Sequence, residues 1–207
     1  MRRRTAILIS GRGSNMAALL AAARDPAYPA EIVLVLSNRS DAGGLVTATA
    51  EGVPVAMIDH RPFKGTREAH ETAINAALAA AGVELVCLAG YMRLLTPVLV
   101  DAWHGRMLNI HPSLLPSFPG LNTHARALAA GVKLHGCTVH LVTQAMDEGP
   151  ILAQAAVPVL PGDTEDALAA RVLVQEHIIY PAALAALAGA APSRPASSAA
   201  ALVNPLP

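Results

Sequence analysis

The stretch AILISGRGSNMAALLAAA, residues 6–23, decides the fold because it places a strand, a glycine-rich turn and a helix in direct succession. Ala6–Ser10 is a short apolar run that ends at Gly11, which is typical of a buried strand. Asn15–Ala23 predicts a helix, because its apolar side chains recur at helical spacing on one face. A strand that runs directly into a helix is the repeating unit of folds built on parallel sheets.

The same alternation continues along the chain. Further strands are predicted at Glu31–Ser37, Pro54–Ile58, Glu84–Ala89 and Met107–Ile110. Further helices are predicted at Gly43–Glu51, Thr66–Ala81, Pro97–Trp103 and Thr123–Ala130. This order predicts an α/β fold with a Rossmann-like, open, mostly parallel sheet and helices on both faces. Because ligands of such sheets bind at the carboxyl ends of the strands, the candidate active loops are those that follow Ser10, Ser37, Ala89 and Ile110.

The last part of the chain breaks the alternation. Gly136–Val142 and Ile151–Val157 have strand character with no helix between them, so they are predicted to form an antiparallel C-terminal pair. A final helix is predicted over Thr164–Leu187, with a kink or a break at Pro181. The remaining residues, 189–207, are rich in Pro, Ala and Ser, which is typical of a low-complexity flexible tail.

The composition narrows the class of protein. The chain has 207 residues, of which 53% are hydrophobic and 14% charged, and 15 Lys and Arg balance 15 Asp and Glu. A neutral chain lacks the basic surplus of a general nucleic-acid binder, and no apolar run reaches the roughly 20 residues of a membrane-spanning helix. Its two cysteines do not make a disulfide framework, which favours a reducing, cytoplasmic location. We therefore expect one domain over 1–188, with no nucleic-acid or membrane partner.

The turn Ser10–Asn15, SGRGSN, is a candidate phosphate loop. Glycines allow the backbone to approach a ligand closely, and a helix N-terminus offers unpaired N–H groups at the positive end of its dipole. A tight turn capped by Ser14 or Asn15 would explain the same residues. A nicotinamide dinucleotide fits less well, because Met16 stands where its fingerprint requires a third glycine. A mononucleotide or a sugar phosphate is the better match.

The segment NIHPSLLPSFPG, residues 109–120, holds the candidate catalytic residues. Asn109 and His111 are two residues apart on a predicted strand, so their side chains point to the same side. An amide that donates to an oxyanion, beside an imidazole that moves a proton, suits transfer of a group to an amine. Asp147 is the best candidate for a carboxylate that orients His111. On its own, the Asn-x-His pattern is more typical of a strand-end Asn that caps a turn and a partly exposed His. Spacing does not choose between an orienting Asp147 and a solvated turn residue.

The tightest set of potential metal ligands is His135, Cys137 and His140. On a strand the first two share a face and His140 points away, so the three do not converge without a bulge. No metal site is therefore predicted.

Four segments, in this order, resemble the folate-dependent formyltransferases. They are SGRGSN at 10–15, LAGYMRLL at 88–95, NIHPSLLPSFPGLNTH at 109–124, and HGCTVHLV followed by MDEGPILAQ at 135–142 and 146–154. The resemblance extends from about residue 6 to about residue 187. It implies transfer of a formyl group from the co-substrate 10-formyltetrahydrofolate to the amine of glycinamide ribonucleotide, N1-(5-phospho-D-ribosyl)glycinamide, in de novo purine biosynthesis, without a metal. It also implies that the N-terminal half binds the ribonucleotide phosphate, and that the C-terminal half binds folate and carries out catalysis.

The resemblance assigns roles to single residues. Asn109 would stabilise the oxyanion of the tetrahedral intermediate, His111 would assist proton transfer, and Asp147 would orient His111. The residues implied to bind the ribonucleotide are Gly13, Ser14, Asn15 and Glu176. Those implied to bind folate are Arg67, Met92, Arg93, Leu94, Leu95, Asn109, Thr143, Gln144, Ala145, Met146 and Asp147. Core packing for the apolar members, and helix-surface positions for Arg67 and Glu176, are the alternatives.

Other functions share parts of this pattern. Methionyl-tRNA formyltransferase and formyltetrahydrofolate hydrolase have the same catalytic core and remain alternatives. Both are longer proteins, and the candidate phosphate loop favours the ribonucleotide acceptor over either. A binding module for phosphorylated ligands, without catalysis, would need the loop but not Asn109, His111 and Asp147. We expect a monomer or homodimer that acts on small molecules.

Overall fold

The computed structural model describes residues 1–63, 65–189 and 202–204. Its strands are β1 Arg3–Ile9, β2 Ala30–Ser37, β3 Val55–Met57, β4 Leu85–Leu88, β5 Met107–His111, β6 Leu134–Leu141, β7 Ile151–Pro158 and β8 Leu202–Asn204. Its α-helices are α1 Ser14–Ala23, α2 Gly43–Ala50, α3 Arg67–Ala80, α4 Pro97–Ala102, α5 Thr123–Ala129 and α6 Glu165–Leu187, and a short 3-10 helix covers Arg61–Phe63.

Within the described residues, the strands form one sheet in the order β3-β2-β1-β4-β5-β6-β7-β8. The pairs from β3 to β5 are parallel. The pairs from β5 to β8 are antiparallel. The predicted fold class, a mostly parallel open sheet with an antiparallel C-terminal pair, is confirmed. Since β1, β4 and β5 are parallel neighbours, their carboxyl ends and the loops that follow them meet at one edge of the sheet.

The central strand β1 shows why the sheet is buried on both faces. Its side chains alternate, so that Ile7 and Ile9 join a core cluster that includes Tyr180 of α6. Ala6 and Leu8 join a second cluster on the opposite face, against α3 and α4. A strand that is covered on both faces has a continuous apolar run rather than alternating polar and apolar residues.

Two findings differ from the sequence predictions. Of the kink or break predicted at Pro181, the break does not occur, because α6 is one continuous helix from Glu165 to Leu187. The Pro181 carbonyl accepts a hydrogen bond from the Tyr28 hydroxyl at 2.7 Å. The prediction of a tail at 189–207 lies mostly outside the described residues, but its segment Leu202–Asn204 pairs antiparallel with β7. That short strand was not predicted.

Three further features concern the sequence expectations directly. Cys87 and Cys137 are both buried and unpaired. The Leu115–Pro116 peptide bond is cis and lies in the loop that follows β5. None of the helices in the described ranges combines the length and the apolarity that crossing a lipid bilayer requires.

Candidate active site

The side chain of His111 lies at the carboxyl end of β5 and is only 7% exposed. Its Nε2–H donates a hydrogen bond to the Phe118 carbonyl at 3.0 Å. Its Nδ1 lies 3.5 Å from Oδ2 of Asp147. The ring is therefore held through one nitrogen by the backbone, while the other nitrogen faces a carboxylate.

Asp147 reaches His111 from the loop between β6 and β7. It has a left-handed backbone with φ of 59°, and its Oδ2 accepts a hydrogen bond from the Gly120 N–H at 2.8 Å. Gly149 closes the same loop, because a Cβ there would lie 1.7 Å from the Leu141 carbonyl oxygen. Only glycine allows this approach of two backbones, so the loop conformation that carries Asp147 depends on it.

The glycine-rich turn after β1 forms the second part of the site. Gly13 has φ of 76° and is the N-cap residue of α1, and no side chain caps this helix end. The Gly44 N–H donates to the Gly11 carbonyl at 3.1 Å, and this hydrogen bond joins the turn to the first residues of α2. A Cβ on Gly13 would lie 3.2 Å from the Gly44 Cα atom. The N–H groups at the start of α1 are therefore available to an anion.

Asn15 and Glu176 are distant in sequence but joined in the structure. The Asn15 amide donates to Oε2 of Glu176 at 2.6 Å, and the Asn15 Oδ1 atom is buried without a hydrogen-bond partner. Burial raises the pKa of Glu176, and the hydrogen bond from Asn15 opposes that shift. The structure thus brings together two residues that the sequence resemblance assigned to the same ligand.

The segment 92–95 follows β4 and precedes α4. Its side chains at Met92 and Leu94 are 71% and 58% exposed, so they are not part of the core. Arg93 and Arg67, the first residue of α3, both line an open cavity of about 580 Å³. Arg61, which is paired with Asp59, and Glu68 line the same cavity. The guanidinium groups of Arg67 and Arg93 suit a ligand that carries carboxylates.

The loop 143–147 is joined to α4, the helix that follows that segment. The Thr143 hydroxyl donates to the Ala145 carbonyl at 3.1 Å, and the Gln144 amide donates to Oδ1 of Asp101 in α4 at 2.9 Å. Met146 is 56% exposed. The loop therefore presents an apolar side chain next to the catalytic candidates, while its polar side chains hold its shape.

Comparison with known proteins identifies the family. The family model described as formyl transferase matches residues 3–184. The chain belongs to the formyl transferase family. It is 44% identical over 175 residues to the phosphoribosylglycinamide formyltransferase of Escherichia coli strain K12, covering 84% of this chain and 82% of that protein. A solved structure of phosphoribosylglycinamide formyltransferase from Brucella melitensis is 57% identical, has a TM-score of 0.87, and matches 92% of this chain and 98% of that one.

A second group of relatives of this formyl transferase is much longer. The trifunctional purine biosynthetic protein adenosine-3 of Drosophila melanogaster is 50% identical over 188 residues, which are 90% of this chain. Those residues are 14% of that protein, so this formyl transferase spans about a seventh of its length.

His140 of this formyl transferase lies beside the candidate catalytic residues, and sequence reasoning missed it. It stands directly opposite Asn109 in the β5–β6 pair, and its Nε2 lies 3.2 Å from the Asn109 amide nitrogen and 3.8 Å from Oδ1 of Asp147. Its Nδ1–H donates to the Leu141 carbonyl at 2.9 Å. Burial lowers the pKa of His140, so the neutral ring accepts one N–H of Asn109 and leaves the other free. The signal that identifies this residue is the antiparallel register of β5 and β6, which places His140 opposite Asn109.

His135 lies elsewhere. Its Nε2 is 3.2 Å from Nδ1 of His124, and its ring meets Phe118 edge-on at 5.9 Å. Burial and the neighbouring His124 lower the pKa of His135 to about 4. Among the residues described, no group of three or more His, Cys, Asp or Glu side chains is placed to hold a metal ion. The β6–β7 register shifts between Val139 and His140. His140 faces Asn109 in the regular β5–β6 pairing, whereas Cys137 is on the other side of β6.

Proposed function

We propose that this formyl transferase transfers the formyl group of 10-formyltetrahydrofolate to the amine of N1-(5-phospho-D-ribosyl)glycinamide. The products are the N-formyl ribonucleotide and tetrahydrofolate, and the reaction belongs to de novo purine biosynthesis. The observation that carries the proposal is the meeting of Asn109, His111 and Asp147 at the sheet edge that also holds an open phosphate loop. The 57% identity to the solved phosphoribosylglycinamide formyltransferase of Brucella melitensis supports the choice of acceptor.

The three candidate catalytic residues suit the steps of such a transfer. The amine attacks the formyl carbon, and the carbonyl oxygen becomes an oxyanion. The N–H of Asn109 that His140 does not use is available to donate to that oxyanion. His111 takes the proton that the amine loses and returns a proton to N10 of the folate as the carbon–N10 bond breaks. Asp147, 3.5 Å from Nδ1 of His111, stabilises the imidazolium between these steps.

The ribonucleotide fits the turn at the start of α1. Its phosphate would bind the N–H groups of Gly13, Ser14 and Asn15, where the helix dipole favours negative charge. Glu176, held by Asn15 at 2.6 Å, would accept hydrogen bonds from ribose hydroxyls or from the amine. The phosphate therefore fixes one end of the acceptor and Glu176 orients its middle.

The folate fits the other half of the edge. The exposed apolar side chains Met92, Leu94 and Met146 would cover its ring system, which would remove them from water. Leu95 completes that segment, and the backbone of 143–147 encloses the ring. Arg67 and Arg93 would bind the glutamate carboxylates in the cavity of about 580 Å³. The proposal includes the cytoplasmic location and the monomeric or homodimeric state expected from the sequence.

The test is a transfer assay with mass detection. The protein is mixed with both substrates, and parallel reactions omit the ribonucleotide or use the His111→Ala variant. A matched control is His104→Ala, which removes an exposed histidine outside the site. Formylated ribonucleotide that forms with the parent and with His104→Ala, but at least 100-fold more slowly with His111→Ala, supports the proposal. Loss of the formyl group without acceptor would instead show a hydrolase, and no reaction would refute the proposed activity.

A further inference from the structure

Ser10 links three strand ends at the edge of the sheet. It follows β1, and its side chain lies in a buried position. Its hydroxyl donates to Oδ1 of Asn38, the residue after β2, at 2.6 Å. The same hydroxyl accepts the Met92 N–H, beyond β4, at 2.9 Å. The Ser10 N–H donates to the Gly90 carbonyl at 3.1 Å, so one residue holds the chain at both 90 and 92.

The orientation of the Ser10 hydroxyl is fixed by its partner. Asn38 is 2% exposed, and its amide nitrogen lies 3.3 Å from Nδ1 of His60. His60 Nδ1 lies 3.0 Å from the Asn38 carbonyl oxygen as well. Because the Met92 N–H can only donate, the Ser10 oxygen accepts from it, and the Ser10 hydrogen points to Oδ1 of Asn38.

The far end of the segment 92–95 is held in a similar way. Glu71, a buried residue of α3, accepts hydrogen bonds from the Thr96 N–H at 2.8 Å, the Thr96 hydroxyl at 2.5 Å and the Leu99 N–H at 3.2 Å. The backbone is thus fixed at both ends of a segment whose apolar side chains at Met92 and Leu94 are exposed. A segment fixed in this way does not pay an ordering cost when a ligand covers it.

We propose that Ser10 is a positioning residue for the folate co-substrate: its hydroxyl, oriented by Asn38, fixes the Met92 peptide that begins the apolar wall of the folate site. This inference rests on the proposed function, because that function assigns the segment 92–95 to folate. Ser10 does not touch the reacting atoms in this scheme. Its removal is expected to weaken folate binding in the ground state and the transition state equally, which raises KM and leaves kcat unchanged.

The test compares Ser10→Ala with two variants. Ser10→Thr keeps a hydroxyl. Ser37→Ala is the matched control, because Ser37 is also buried at a strand end, donates to the Arg39 carbonyl at 3.0 Å and accepts the Arg39 N–H at 3.1 Å. Both hydrogen bonds of the Ser37 hydroxyl are with the backbone of Arg39, and neither involves Met92. Initial rates are measured with each substrate varied in turn, and binding of tetrahydrofolate is measured by calorimetry without the ribonucleotide.

Ser10→Ala is expected to raise both the KM for 10-formyltetrahydrofolate and the Kd for tetrahydrofolate about tenfold. The kcat and the KM for the ribonucleotide should stay within about twofold, Ser10→Thr should recover most of the affinity, and Ser37→Ala should match the parent. If Ser10→Ala does not fold, Asn38→Ala gives the same test, with an expected rise of about threefold because the hydroxyl is then free to rotate.

Several results would overturn the inference. They are unchanged folate affinity in Ser10→Ala, an equal loss in Ser37→Ala, or a fall in kcat with KM unchanged. A parent protein that binds tetrahydrofolate but transfers no formyl group would refute the proposed reaction and still leave the Kd comparison to judge Ser10. A parent that does not bind tetrahydrofolate would refute both.

Discussion

Replacing Asp147 by Asn removes one negative charge from the site and leaves the local structure nearly unchanged. The backbone at this position is left-handed, with φ of 59°, a conformation that Asn adopts as readily as Asp. The Asn amide oxygen can still accept the Gly120 N–H that now meets Oδ2 at 2.8 Å. The variant should therefore fold, and its melting temperature should stay within about 2 °C of the parent, which for a chain of this size corresponds to under about 1 kcal/mol.

The loss of charge should act when His111 becomes an imidazolium. At 3.5 Å and an effective dielectric constant of about 20, the attraction between the two charges is about 5 kcal/mol. Both side chains are under 10% exposed, so water screens the pair only in part. Since the attraction is present in the transition state and not with a neutral ring, more than half of it should appear in the barrier. We expect kcat to fall about 10²- to 10³-fold, with little change in either KM.

The assay is steady-state formyl transfer together with thermal unfolding. Asp163→Asn is the matched control, because the Asp163 side chain is 6% exposed against 9% for Asp147 and is paired with Arg171 away from the site. It should lower the melting temperature and leave kcat unchanged. If Asp147→Asn keeps kcat within tenfold of the parent, or if Asp163→Asn loses as much activity, charge stabilisation of His111 by Asp147 is not the mechanism.

Two further variants, and the pH dependence of Asp163→Asn, test other parts of the structure. Gly149→Ala should reduce kcat more than 100-fold with a modest drop in melting temperature, because a Cβ 1.7 Å from the Leu141 carbonyl oxygen must displace the loop that carries Asp147; a parent-like kcat would refute this. Burial raises the pKa of Glu176, so its contribution to stability is full below the unfolded value and is lost as the pH rises through the folded one. Glu176→Gln should therefore melt above the parent at pH 8 while its KM for the ribonucleotide increases, and denaturation curves and initial rates check both. Hydrogen bonds from Arg171 lower the pKa of Asp163 to about 2, so the stability gap between parent and Asp163→Asn should be constant above about pH 4 and close as the pH falls to 2. Urea titrations across that range would show it.

The secondary structure could be predicted from the sequence wherever burial decides it. Every predicted strand and helix is present within a few residues, because apolar runs and helical periodicity record which faces are covered. The prediction was too short at β1, which begins at Arg3 rather than Ala6. Residues 3–5 carry polar side chains, but their backbones pair with residues 30–32 of β2, and pairing leaves no trace in hydropathy.

Pro181 is a residue at which the local sequence predicts a disruption of the helix that tertiary packing overrides. A proline in a helix interior costs about 3 kcal/mol through a lost hydrogen bond and a clash with the preceding turn. The residues on both sides of it, Tyr180, Ala183 and Leu184, are fully buried. Burial of each large apolar side chain contributes about 1.5–3 kcal/mol, so tertiary packing outweighs the local cost and α6 continues. The residues that pack against this part of α6 are distant in sequence, so the local sequence around Pro181 does not predict the packing.

The residues of the candidate site also differ in whether local sequence could predict their positions. Asn109 and His111 were predictable as a pair, because strand geometry alone places residues two apart on one side. The approach of Asp147 to His111 was not, since it depends on a left-handed residue, on the Gly120 N–H and on the space that Gly149 leaves. Spacing in the sequence carries none of these. Asp147 was therefore only the best candidate for the orienting carboxylate, and the resemblance assigned it that role.

His140 could not be assigned to the site from the pattern of its own strand. The alternation of side chains along β6 predicts that His140 points away from His135 and Cys137, but it does not predict what His140 contacts. The strand pairing does: His140 is the cross-strand partner of Asn109, and a shift in the β6–β7 pairing begins at that residue. A neutral imidazole that accepts one N–H of Asn109 settles which way the amide points. The geometry of the oxyanion site thus depends on a strand pairing that only the three-dimensional structure supplies.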